Sequence, residues 1–212
     1  MKIGILGYGT VGSGAGECLG LFPNEKAQLH RIFDMREIDG LEGKLTNKAE
    51  DIIDSGDIDI VVETMGGEEP AYTYVKRALS NGKNVVSANK LMISRHFDEL
   101  VNLAREKGVS FSFSAAAGGS IPWLFNLLRI RRLDNIKSVG GIMNGTTNFI
   151  LDAMQTGDGA DFDEVLSQAQ ALGYAEADPT ADIDGLDVKA KIALSCDIAY
   201  GRMIDPAGIL AL

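Results

Sequence analysis

Thiols are scarce in this chain: Cys18 and Cys196 are the only two among 212 residues. Two cysteines so far apart build neither a disulfide framework nor a thiolate metal centre, and they read as buried, inert thiols. Histidine is equally sparse. His30 and His96 stand near no candidate nucleophile in the sequence, and no GxSxG elbow occurs, so serine and cysteine acyl-transfer chemistry has no footing. Long apolar runs are absent too. Nothing approaches the ~20 residues that span a bilayer, and glycines interrupt MKIGILGYGTVG too early for a signal-peptide core, with no small-residue cleavage site after it. A cytoplasmic protein with no membrane role is the expectation. Basic residues are in deficit, 20 Lys and Arg against 30 Asp and Glu, for a formal charge of −10. Such a chain repels a phosphate backbone, which excludes nucleic acid as a partner. Internal repeats, low-complexity tracts and Pro-rich linkers are also missing.

What is present is ordinary in bulk, 45% hydrophobic and 24% charged, and long enough for one large domain or two small ones with a proper core. The first half alternates β and α patterns. Lys2 to Leu6 is a short β-branched and apolar run, followed directly by Gly7-Tyr8-Gly9-Thr10-Val11-Gly12 and a helical pattern to about Leu19. In a strand, glycine turn and helix of this kind, the first glycine makes the tight turn, the second lets the backbone approach a pyrophosphate, and the third lets helix and strand pack closely. The helix N-terminus then faces the phosphates. The second apolar run, LHRIF, ends at Asp34, 22 residues past Gly12. A carboxylate there accepts hydrogen bonds from an adenosine ribose and repels a 2′-phosphate, favouring NAD. Arg36 argues the other way, and a plain turn residue is the alternative reading of Asp34.

The alternation continues. IDIVVET (58–64) reads as a buried strand, PAYTYVKRALSNG as a helix with a glycine stop, and KNVVSANK as another strand. HFDELVNLAREKG repeats the helix and its glycine stop before a strand over VSFSFSAAA. This predicts a doubly wound parallel sheet, in which ligands sit outside the carboxyl ends of the strands. Thr64, Asn89 and Lys90 then stand at the mouth of the crevice.

The stretch LGYAEADPTADIDGLDVKAKIALS (172–195) sets Glu176, Asp178, Asp182, Asp184 and Asp187 ahead of Lys189 and Lys191. As a calcium loop it fails: with Asp182, Asp184 and Gly185 at EF-hand positions 3, 5 and 6, position 1 falls on Thr180 and position 12 on Lys191. As a surface helix it has Asp184 for an N-cap and an i,i+4 pair, Asp187 with Lys191, worth about 0.3 kcal/mol. A third reading makes it half of an active site. Lys191 shares a face with Asp187 and Leu194, and a lysine held by a carboxylate on a partly buried face is a candidate for moving the proton that accompanies hydride transfer at a carbinol. Surplus carboxylates suit a substrate that carries an ammonium group.

With GxGxVG, SANK, GGIMNGTTNFIL and LGYAEADPTADIDGLDVKAK in view, the sequence resembles homoserine dehydrogenase, which interconverts L-homoserine and L-aspartate 4-semialdehyde with NAD(P) in threonine, methionine and isoleucine biosynthesis. The resemblance spans the chain, and Asn144 to Asn148 with Gly173 to Lys191 are its most specific parts. It implies Lys191 as proton donor and acceptor at the substrate oxygen with Lys90 as partner lysine, and Glu176, Asp182 and Asp187 toward homoserine. Gly7, Gly9, Thr10, Val11, Gly12, Asp34, Thr64, Lys90 and Gly173 are implied toward NAD or NADP. It further implies a monovalent cation on backbone carbonyls of Ser114, Ala117, Gly119 and Ile121, although the family usually carries a glutamate where Ser114 stands. The implied fold class is α/β, a Rossmann-type sheet over residues 1–130 followed by an α+β substrate and dimerisation domain over 131–212. Family members continue well past Leu212, so that second domain is expected to be partial, and a homodimer or higher homo-oligomer is expected. The rival expectations are a catalytically silent dinucleotide-binding chain and a different amino-acid or semialdehyde dehydrogenase on the same scaffold.

Overall fold

The computed structural model describes residues 1–21, 26–119, 121–156, 160–175 and 178–210. They fall into two compact units, Met1–Arg129 and Ile130–Leu212.

The first unit is built on six parallel strands: β1 (Lys2–Leu6), β2 (Gln28–Phe33), β3 (Leu45–Thr46), β4 (Ile60–Glu63), β5 (Asn84–Ser87) and β6 (Phe111–Ser112). They lie side by side in the order β3-β2-β1-β4-β5-β6. Helices α1 (Thr10–Leu21), α2 (Glu50–Ile53), α3 (Ala71–Ser80) and α4 (Lys90–Lys107) join them. Strands covered on both faces read as continuous apolar runs, and Ile3, Ile5, Leu6, Val61 and Val85 are accordingly buried among Ile52, Ile53, Val75, Leu79, Met92, Ile93 and Leu100. Strand order reverses at β1, with β2 on one side and β4 on the other. That reversal opens the crevice of such sheets at the carboxyl ends of β1 and β4.

Several features differ from the sequence reading. Strand β5 stops at Ser87 and α4 begins at Lys90, because the Asn89 side chain accepts from the Met92 N–H at 3.1 Å and caps the helix six residues before the expected start. Strand β6 pairs only over Phe111–Ser112, and the residues after it curl into a 3₁₀ turn, Ser114–Ala116. Cys18 is exposed and Cys196 only partly buried, so neither is the inert buried thiol expected.

Helix α5 (Trp123–Arg131) crosses the boundary between the units. The described residues beyond it form helices α6 (Gly145–Thr156), α7 (Phe162–Ala171), α8 (Thr180–Ile183) and α9 (Leu186–Tyr200) and no strand. A strand needs a neighbouring edge to pair with, and the segment before α6, which carries IKSVGGIM, meets none among these residues. Ile150, Val165, Ala169 and Ala175 form the apolar centre between α6 and α7, flanked by Phe149, Phe162 and Leu166. The Arg131 guanidinium donates to the Ile198 carbonyl at 3.0 Å and ties the end of α5 to α9. Helix α9 starts on Gly185 in the left-handed region (φ +69°), with no side-chain cap. Asp184, expected as its N-cap, instead ends α8. Among the described residues no helix is long and apolar enough to cross a membrane.

Candidate functional site

Gly7 turns the chain out of β1 at φ +87°, a conformation that only glycine adopts without strain. Its N–H donates to Phe33 O at 2.9 Å, and its carbonyl accepts the Thr64 hydroxyl at 2.6 Å. Thr64 thus braces the loop from the end of β4. A Cβ on Gly12 would lie 2.1 Å from Gly7 O, whereas a Cβ on Gly9 meets nothing within 4 Å. The loop is therefore closed on its protein side and open at Gly9, beside exposed Thr10 and Val11 at the start of α1. That is the cradle a pyrophosphate fits, between a close backbone approach and a helix N-terminus.

Asp34 and Arg36, rivals in the sequence reading, form one cluster. The Arg36 Nε donates to Asp34 Oδ1 at 2.9 Å and its Nη2 to Oδ2 at 3.0 Å. Tyr8 N–H donates to Oδ2 at 2.8 Å, and Arg36 Nη2 also reaches the Tyr8 carbonyl at 3.0 Å. The Arg36 guanidinium holds the Asp34 carboxyl well below the usual carboxylate range despite partial burial. The pair pins the glycine loop at Tyr8.

At the end of β4, Glu63 is fully buried, a feature that sequence reasoning missed. Its carboxylate accepts from Ser87 Oγ at 2.5 Å, Met65 N–H at 2.8 Å and Asn89 Nδ2 at 3.3 Å, while Asn89 also donates to Gly67 O at 2.7 Å. Burial pushes the Glu63 carboxyl up from its ordinary value, and these donors offset the push only in part. The network fixes the turn after β4 to the first residues of α4, where Lys90 stands half-buried. The only hint in sequence was an acid closing an apolar strand.

The segment implied for a cation runs through the 3₁₀ turn to Ala117, then turns at Gly118 (φ +96°) and Gly119 (φ +55°). It folds back at Gly118, whose carbonyl accepts from Ile121 N–H at 2.8 Å, while the Ile121 carbonyl accepts from Trp123 N–H at 2.7 Å. Ser114 is exposed.

In the second unit, the Lys191 Nζ donates to Asp187 Oδ2 at 2.8 Å and to the Met143 carbonyl at 2.7 Å. Both side chains are mostly buried, 21% and 12% exposed. The Asn144 amide donates to Asp182 Oδ1 at 2.6 Å and to Asp187 Oδ2 at 3.0 Å. The structure thus brings Lys191, Asp187 and Asp182 together around 143–144, residues to which the sequence reading gave no role. Gly173 turns the chain after α7 at φ +80°, and Tyr174 O accepts the Thr146 hydroxyl at 2.5 Å. Glu176 lies outside the described residues. Among those described, no group of three or more His, Cys, Asp or Glu side chains could hold a metal ion.

The family model described as "Homoserine dehydrogenase, NAD binding domain" matches residues 7–114, and the model described as "Homoserine dehydrogenase" matches residues 122–211. The chain belongs to the homoserine dehydrogenase family. It is 46% identical to a homoserine dehydrogenase of Synechocystis sp. over 96% of this chain and 49% of that one. To that of Corynebacterium glutamicum it is 43% identical over 93% and 47%. Among solved structures, a homoserine dehydrogenase from Thiobacillus denitrificans superimposes with a TM-score of 0.89 at 40% identity, covering 98% of this chain and 50% of that one. A hyperthermophilic archaeal homoserine dehydrogenase in complex with NADPH superimposes with a TM-score of 0.82 at 29% identity, covering 95% and 70%. The chain spans about half the length of the curated relatives it matches.

Proposed function

We propose that this chain carries the active-site residues of an NAD(P)-dependent homoserine dehydrogenase, interconverting L-homoserine and L-aspartate 4-semialdehyde. The observation that carries this reading is the Lys191 ammonium, held between Asp187 and the Met143 carbonyl in an acid-rich segment. In the proposed mechanism Lys191 moves the proton to and from the substrate hydroxyl oxygen, a task general acid–base groups perform once positioned. Asp187 and Met143 keep its amine in place between turnovers. Asp182, Asp187 and Glu176 offer carboxylates to the substrate ammonium, and Lys90 serves as the second lysine at the cofactor crevice. When bound, the nicotinamide supplies or takes up the hydride. Gly7, Gly9, Thr10, Val11 and Gly12 would hold its pyrophosphate with Thr64 bracing the loop, and Gly173 would lie against the cofactor.

NAD is the proposed preference. Asp34 is ionised and aimed back at the glycine loop, and Arg36 would have to leave it to meet a 2′-phosphate. Backbone carbonyls of Ser114, Ala117, Gly119 and Ile121 would hold a monovalent cation, their hard oxygens being the donor type such ions take. The proposed assembly is a homodimer or larger homo-oligomer in the cytoplasm.

The test follows nicotinamide absorbance when purified protein meets aspartate semialdehyde with NADH and, separately, NADPH. Turnover is the expected result. Cofactor binding without turnover would overturn this reading in favour of a catalytically silent dinucleotide-binding chain.

A further inference from the structure

Residues 143 and 144 grip both ends of one ion pair. The Met143 carbonyl accepts from the Lys191 ammonium at 2.7 Å, and the next residue's side chain donates to Asp187 Oδ2 at 3.0 Å. That oxygen is the same one that meets Lys191 at 2.8 Å. The second hydrogen of the Asn144 amide goes to Asp182 Oδ1 at 2.6 Å, and Asn144 Oδ1 accepts from Thr147 N–H at 2.8 Å and Thr147 Oγ1 at 3.0 Å. An asparagine side chain has two donors and two acceptor lone pairs. All four are used, on a residue only 5% exposed. The orientation is therefore locked: turning the amide over would set its oxygen against two carboxylates and its NH₂ against a backbone N–H.

We propose that Asn144 is a positioning residue, whose amide sets the spacing of Asp182 and Asp187 and, through Asp187, the place of the Lys191 ammonium. The inference rests on the reading above for its catalytic consequence, though not for its geometry. Two carboxylates this close repel each other, and a neutral donor shared between them offsets that repulsion without competing with Lys191 for Asp187, as an added cation would. Asn144 also caps α6, so the first turn of that helix and the acid pair are anchored on one side chain.

The experiment separates positioning from capping. The first readout needs no substrate: the exchange lifetime of the Lys191 ammonium protons by ¹⁵N NMR, assigned with Lys191→Arg. Asn144→Leu is expected to shorten it several-fold, whereas Thr147→Val, which removes only a capping donor, is expected to lower the melting temperature and leave the lifetime alone. If Asn144→Leu fails to fold, Asn144→Asp serves instead, because it keeps the capping oxygen and puts an acceptor where the donor to the acid pair stood. The second readout is the split of kcat and KM for homoserine. A misplacement of about an ångström costs on the order of 100-fold, so kcat is expected to fall that far in Asn144→Asp while NADH affinity stays at the wild-type level. A wild-type lifetime in the folded Asn144 variant overturns the proposal, whatever the turnover. No turnover by the wild-type chain overturns the functional reading, and the lifetime comparison still decides the role of Asn144.

Discussion

Gly12 and Gly9 stand three residues apart in one loop, yet the structure assigns them opposite vulnerabilities. A methyl group on Gly12 would lie 2.1 Å from Gly7 O and 2.8 Å from Thr64 Oγ1. Both are part of the brace that closes the loop, and the Gly7 carbonyl would have to retreat by an ångström or more, breaking its 2.6 Å bond from Thr64. Overpacking of a fixed site costs about 1–3 kcal/mol and the lost hydrogen bond about 1 kcal/mol more. Gly12→Ala should therefore cost roughly 3 kcal/mol, which for a unit of this size lowers the melting temperature by about 10 °C. Gly9 has open space around it and no positive φ. Gly9→Ala should leave the melting temperature unchanged or slightly raised, since alanine narrows the unfolded ensemble. Its methyl group would instead occupy room that a pyrophosphate needs, so NADH affinity should fall at least ~10-fold, or about 1.4 kcal/mol. Differential scanning fluorimetry and NADH fluorescence titration on the two variants make the comparison. The reasoning fails if Gly12→Ala melts with the wild type, or if Gly9→Ala binds NADH with undiminished affinity.

Other expectations follow from the same geometry. Lys191→Met should lower kcat by about 10²–10⁴ and leave NADH affinity near wild type, and a matching loss of cofactor affinity would sink the role given to this lysine. Arg36→Leu leaves the Asp34 carboxylate without its guanidinium partner, so steady-state kinetics should show NADPH use weakened far more than NADH use; improved NADPH affinity would refute the pairing argument. Burial raises the Glu63 carboxyl, so the folded protein keeps this proton at pH values where the unfolded chain has lost it. Stability from this group is then greatest below the ordinary glutamate pKa and declines as pH rises through the raised value. Melting curves across that range should show wild type losing stability relative to Glu63→Gln, and a difference independent of pH would contradict this.

The parts of the fold that were legible are those in which local chemistry and tertiary structure agree. Apolar strands, glycine stops and the Gly7–Gly12 spacing each carry their meaning within a dozen residues, and the parallel sheet followed from their alternation. Where two local signals competed, the order of residues did not show which would win. Lys90 read as a strand-end lysine until Asn89 capped a helix in front of it, a signal present in the sequence as an asparagine preceding a helical pattern. Asp184 was the better N-cap by residue type, but Gly185 took the left-handed turn that only glycine enters freely. Asp34 and Arg36 could be weighed only as rivals, because nothing in the order of residues shows that a guanidinium two positions on folds back onto the carboxylate.

The roles of Glu63 and Asn144 were not readable for a deeper reason. Each is defined by its partners, 24 and 26 residues away for Glu63 and 38 and 43 residues away for the acids on Asn144. Glu63 carries no local pattern that announces a buried network, and the position of Asn144 before α6 announces only a cap. Buried polar groups are nearly always hydrogen-bonded, so such a side chain is specified by the whole arrangement around it. By the same logic these positions should tolerate little change. A surface acid such as Asp57, paired with Lys2 in solvent, loses almost nothing on replacement. Removing Asn144 takes a donor from two carboxylates and the cap from a helix N-terminus at once, so its substitution should couple the stability of α6 to the placement of Lys191.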